Sequence, residues 1–181
     1  TGGAAGIDAL DYSNFGSAVD VTLTSDANTG IETSSIVNGF SGIEEVVGSG
    51  QTTDAFTGLD ALSTWTLAAT GSTYTSGGNT IEFSQFETLN AGSGIDQITV
   101  TTDFTAAVNL GAGSNFLTIG SDRTLTGAVT GGSGQDNITV TSGAAIIGDV
   151  DLQEEDDSLA LQDGASVTGT FRGDEGDDRL T

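Results

Sequence analysis

The second half of the chain repeats itself with a period of 21 residues. Leu125, Ile146 and Val167 begin equivalent segments. Gly127, Gly148 and Gly169 follow two positions on, and Val129, Val150 and Phe171 two further. Each unit then crosses an acidic or glycine-rich stretch and closes on Asp136, Asp157 or Asp178, with Ile138, Leu159 or Leu180 two residues later. A fixed period in this range marks a solenoid, because one coil cannot bury its apolar face alone and the neighbouring coils complete the core. An antiparallel sandwich would explain short strands and glycine turns, but it gives no reason for a constant register.

Within a unit, apolar and polar residues alternate over runs of about five, as a half-buried pleated surface requires. The pattern predicts two short strands per coil, 125–129 and 137–141 in one unit, with tight turns at 131–135 and 142–145. Phe104, Val108, Asn115 and Leu117 lie 21 residues before Leu125, Val129, Asp136 and Ile138, so the regular coils extend over 104–181. Equivalent residues then stack about 4.8 Å apart, as parallel strands do. Ile98, Ile138, Leu159 and Leu180 become part of an aliphatic ladder inside. Crossovers between parallel strands are overwhelmingly right-handed. The expected fold is therefore all-β, a right-handed parallel β-helix. The absence of Pro fits, since Pro would delete a coil-to-coil hydrogen-bond donor.

Residues 1–103 are less regular. Short strands are expected around Ala9–Tyr12 and around Val19, Val21 and Leu23, followed by a surface loop over 25–35. Phe40, Ser41, Ile43, Glu44 and Val46 match Phe83, Ser84, Phe86, Glu87 and Leu89 at an offset of 43, about two coils. Between these copies, 62–76 reads as strand, turn at Gly71, strand, with Trp65 in the core. The whole of 1–181 is read as one solenoid segment. Because it breaks off midway through a unit, it is expected to be a fragment of a longer protein.

Composition narrows the function. The chain has no Cys and no His, so disulfides, thiol chemistry and the commonest general base are excluded. Its formal charge is -23, with three cations (Arg123, Arg172 and Arg179) against 26 carboxylates. Such a field repels phosphate backbones, so nucleic acid is excluded as a partner. No run reaches the ~18 apolar residues of a membrane span. Enzymes that cut polysaccharides on β-helices need an acid and a base facing a cleft, with cations or aromatics to hold the sugar. Lys and His are absent and the aromatics fall in core-like slots, so no enzymatic activity is expected.

The motif GGSGQDNIT at 131–139, with AGSGIDQIT at 91–99 and, more loosely, RGDEGDDRLT at 172–181, resembles the GGxGxDxUx nonapeptide of the haemolysin-type RTX family of large secreted bacterial proteins. GAAIIGDVDLQEEDDSLAL and GASVTGTFRGDEGDDRLT also resemble the passenger β-helices of bacterial autotransporters and related giant adhesins. These resemblances imply an extracellular or cell-surface location. They also imply a non-catalytic, structural or adhesive role in a large adhesin-type protein, facing a cell-surface or matrix component, with self-association through coil ends or edges also possible. The RTX resemblance implies an alternative: a calcium-binding β-roll module that orders on secretion, with Asp96, Asp136 and Asp178 as the candidate ligands. Here the nonapeptides are single and widely separated, whereas calcium takes six to eight oxygens. Calcium is thus a possible cofactor and none is required. Glu154, Glu155, Asp156 and Asp157 stack on Asp174, Glu175, Asp177 and Asp178, and the expectation is a solvated acidic edge rather than a cation-bridged one. Arg172, Gly173 and Asp174 spell RGD, a candidate binding tripeptide that the repeat places in a turn.

Overall fold

The computed structural model describes residues 6–24, 31–33 and 36–181, and all its regular structure is β. Among these residues no helix is long and apolar enough to cross a membrane. From residue 96 onward the chain threads three sheets in rotation. Strand β11 (Asp96–Val100) leads to β12 (Phe104–Thr105) and β13 (Ala107–Asn109). The next circuit is β14 (Phe116–Ile119), β15 (Thr124–Thr126) and β16 (Val129–Ser133), and the next β17 (Asn137–Val140), β18 (Ala145–Ile147) and β19 (Val150–Glu154). The last is β20 (Ser158–Leu161), β21 (Ser166–Val167) and β22 (Phe171–Arg172), closing on β23 (Arg179–Leu180). Every contact between circuits is parallel and in constant register. Leu117 pairs with Ile138, Ile138 with Leu159, and Leu159 with Leu180. Val129 pairs with Val150 and then Phe171, and Leu125 with Ile146 and then Val167. This arrangement is compatible with a β-solenoid.

Each circuit carries three strands where the sequence suggested two. Residues 125–129 are not one strand: Gly127 turns the chain between β15 and β16. A Cβ at Gly148 would lie 2.2 Å from the Gly127 carbonyl oxygen, and one at Gly169 would lie 2.2 Å from that of Gly148. The recurring glycine is therefore a corner where successive coils touch backbone to backbone. The expected turn at 131–135 is likewise displaced, because 131–133 belongs to β16 and the corner follows it.

Upstream the circuits are longer. Strand β1 (Ala9–Asp11) pairs in parallel with β5 (Glu45–Val47), and β5 with β9 (Asn79–Ser84). Strand β2 (Asp20–Leu23) pairs with β6 (Ala55–Thr57), and β6 with β10 (Thr88–Asn90). Two antiparallel strands, β3 (Ile31–Thr33) and β4 (Ile36–Phe40), extend the edge beyond β2. The expected loop over 25–35 is thus corrected at β3, and its remaining residues lie outside those described. Strands β7 (Ser63–Leu67) and β8 (Ser72–Ser76) form the expected hairpin across Gly71, and β8 continues antiparallel into β9. The offset of 43 does not survive. Val46 faces Phe83, an offset of 37, and Phe40 pairs with Ile31.

One apolar cluster runs through the interior. At its wide end Phe56 stacks on Phe83 at 4.7 Å, and Trp65 meets Tyr74 edge-on at 4.7 Å. Such large rings fill the space opened where the hairpin adds two strands to one sheet only. Past Ile98 the core narrows to single aliphatic residues per strand.

Candidate functional site: a buried aspartate ladder and an acidic groove

The aspartates that close each repeat turn their side chains inward at the corner before β11, β14, β17, β20 and β23. Asp96, Asn115 and Asp136 are fully buried and Asp157 is 2% exposed. They are linked coil to coil. The N–H of Asp96 donates to Asn115 Oδ1 at 2.9 Å, that of Asn115 to Asp136 Oδ1 at 3.0 Å, that of Asp136 to Asp157 Oδ1 at 2.6 Å, and that of Asp157 to Asp178 Oδ1 at 3.0 Å. Each side chain thus satisfies a backbone donor that the corner withdraws from the sheet ladder.

The second side-chain atom separates the members of the ladder. Asn115 Nδ2 donates to the carbonyl oxygens of Gly113 at 3.1 Å and Leu110 at 3.2 Å. Asp96, Asp136 and Asp157 present Oδ2 instead, which is buried without a hydrogen-bond partner in all three. Burial pushes their carboxyls up, to about 6 for Asp96, about 7 for Asp136 and about 6 for Asp157. The charge of Asp157 adds to the effect at Asp136, and that of Asp178 adds to it at Asp157. The Ser63 hydroxyl, donating to Asp96 Oδ1, works the other way.

Upstream the same device recurs with different partners. Buried Asp54 accepts the Val19 N–H at 2.8 Å and the Ser49 hydroxyl at 2.8 Å on both oxygens. Its own N–H donates to Glu87 Oε2 at 3.0 Å, and burial raises the Glu87 carboxyl.

The three candidate calcium ligands therefore sit on different coils of one column. Asp96 and Asp136 are separated by Asn115, and Asp178 lies at the last rung. Among the described residues no three acidic side chains form a group that could hold a metal ion. The residues present do not assemble calcium's six to eight oxygens. The glycines of the nonapeptide have a steric role instead. A Cβ at Gly132 would lie 1.9 Å from the Gly111 carbonyl oxygen, and one at Gly131 would lie 2.9 Å from Asp136 Oδ2.

Arg172 lies in strand β22 opposite Asp151, not in a turn, and its guanidinium is 3.8 Å from the Asp151 carboxylate. Gly173 lies under the Asp178 carboxyl, and Asp174 has φ +68°. Burial raises the Asp151 carboxyl, the nearby Asp174 raises it further, and Arg172 opposes them. A groove of 920 Å³ opens beside this cluster on the outside of the β13–β16–β19 sheet, lined by Thr130, Gly132, Gln153, Glu154, Asp174 and Glu175 among others. Glu154 and Glu175 stack as a bridge, and the Asp177 N–H donates to Asp156 Oδ1 at 2.8 Å. The acidic edge is thus exposed, as expected, except for Asp157, which joins the buried ladder. Its chemistry is that of an acceptor surface for hydroxyl or ammonium donors.

Sequence reasoning found the positions of Asp136, Asp157 and Asp178 from their period but read the middle one as solvated. It missed Asn115 as the neutral rung, although its place 21 residues before Asp136 was the available signal. Asp54, Ser49 and Glu87 lie outside the period and left no such trace. Comparison with protein-family models, with curated proteins and with solved structures returned no match to this chain.

Proposed function

We propose that the chain is a non-catalytic spacer and contact segment of a large extracellular, adhesin-type bacterial protein, built as a right-handed parallel β-helix. The observation that carries this reading is the unbroken parallel register from Leu117 through Ile138 and Leu159 to Leu180. In such a stack each added coil contributes hydrogen bonds and core contacts to its neighbour, so length grows without a larger core per coil. A net charge of -23 suits a segment that must stay soluble and apart from its copies in a salt-rich medium. The test is small-angle scattering combined with thermal melting in EDTA and then in millimolar calcium. A rod-shaped particle whose melting ignores the chelator is expected. A chain that EDTA unfolds and calcium restores would replace this reading with the calcium-ordered module.

A further inference from the structure

The outward face of the sheet containing β7, β8, β11, β14 and β17 carries side chains in two rows that run across the strands. One row is Thr73, Thr66, Thr99, Thr118 and Thr139 on five adjacent strands. The parallel row includes Thr64, Gln97, Phe116 and Asn137. Over these five strands neither row holds a charged residue, in a chain with 26 carboxylates. In the middle stands Phe116, 46% exposed, while its neighbour Leu117 fills the interior. Gln97, Thr99, Phe116 and Thr118 line a cleft of 340 Å³. Asn137 accepts the Ser158 hydroxyl at 2.8 Å through Oδ1, which orients its amide beside the ring.

A single exposed aromatic is ordinary on a protein surface. Here, however, it stands on a rigid sheet, flanked across the strands by two amides and along them by hydroxyls. That combination matches the chemistry of a sugar ring, whose C–H face packs on an aromatic while its hydroxyls exchange hydrogen bonds with amides and alcohols. Charge selects among polymers. Anionic ones are repelled by the whole chain, and cationic ones are drawn to the carboxylates at the corners and the groove. An uncharged polymer is left for this face. The rows repeat every ~4.8 Å across the strands, so an extended polymer can meet equivalent hydroxyls along its length.

We propose that this face binds an uncharged polysaccharide, with Phe116 as the stacking platform and Gln97, Asn137, Thr99 and Thr118 as its hydrogen-bonding flanks. The inference deepens the adhesive reading above and rests on it. Affinity gel electrophoresis of the full chain through laminarin, dextran or hydroxyethyl cellulose tests it, with alginate as the anionic comparison. At least one neutral polymer should retard the chain and alginate should not. Phe116→Ala should weaken the retardation on the order of tenfold, Phe116→Tyr should keep it, and Thr118→Glu should abolish it, with unchanged circular dichroism. Failure of every neutral polymer, equal retardation by alginate, or wild-type binding by both Phe116→Ala and Thr118→Glu would overturn the proposal. Should Phe116→Ala fail to fold, Thr118→Glu alone decides. Scattering and chelation judge the spacer reading separately, so loss of this site would leave that reading standing.

Discussion

Replacing Asp136 by Asn tests the ladder most directly, because Asn115 on the preceding coil already shows what an amide does in that slot. Asp136 is fully buried, its Oδ2 has no donor, and burial raises its carboxyl from the ordinary 3.8 to about 7. A raised folded-state pKa means that the folded chain binds the proton more tightly than the unfolded chain. Stability is then greatest below the unfolded value and falls as pH rises through about 7. A tenfold change in proton affinity is ~1.4 kcal/mol, so the ionised form costs at most roughly 4 kcal/mol. Relaxation and solvent screening reduce that to about 1–2 kcal/mol.

Asp136→Asn removes the charge and lets Nδ2 donate to the carbonyls of 131 and 134, as Asn115 does to those of 110 and 113. Such a neutral hydrogen bond adds about 1 kcal/mol. Urea unfolding followed by circular dichroism at pH 5 and pH 8 provides the assay. The variant should gain about 1–3 kcal/mol over wild type at pH 8 and much less at pH 5, where Asp136 is already protonated. General repulsion among the other carboxylates affects both proteins alike and cancels in the difference. A variant less stable than wild type at pH 8, or one with the same pH dependence as wild type, would refute the reasoning.

The other predictions use the same denaturation assay. Combining Asp157→Asn with Asp136→Asn should give less than the sum of the two gains, since the Asp157 charge is one cause of the raised Asp136 carboxyl. Ser49→Ala should cost about 1–3 kcal/mol by leaving a buried Asp54 oxygen without its hydroxyl donor. Gly148→Ala should destabilise by about 1–3 kcal/mol or more, because its methyl would meet the Gly127 carbonyl oxygen at 2.2 Å. Leu117→Ala, at a fully buried rung of the aliphatic column, should cost about 2–5 kcal/mol.

How much of this was legible in the sequence depends on whether a feature is periodic. The register of Leu125, Ile146 and Val167 could be read because every coil must place an apolar side chain at the same height, and a one-residue slip would turn it outward. The third strand per coil was hidden because residues 125–129 look continuous, and only the approach of the Gly127 and Gly148 backbones reveals a corner there. The match of Phe40–Ser41 to Phe83–Ser84 was misleading, since two identical residues are cheap in a low-complexity chain. The true partner of Phe83 is Val46, set by the extra strands of the hairpin. The ladder is the most instructive case. In the sequence an aspartate amid GSGQD or EEDDS carries every sign of a solvated or metal-binding turn. Its burial follows from the corner, where the backbone N–H of one coil loses its sheet partner and needs an acceptor from the next. An Asp and an Asn serve that N–H equally well through Oδ1, so the column tolerates both. They differ only at the second atom, where facing carbonyls welcome a donor and leave a carboxylate oxygen unsatisfied. The column is therefore fixed by backbone geometry, and its response to pH by which coils carry Asp where Asn115 shows that an amide fits.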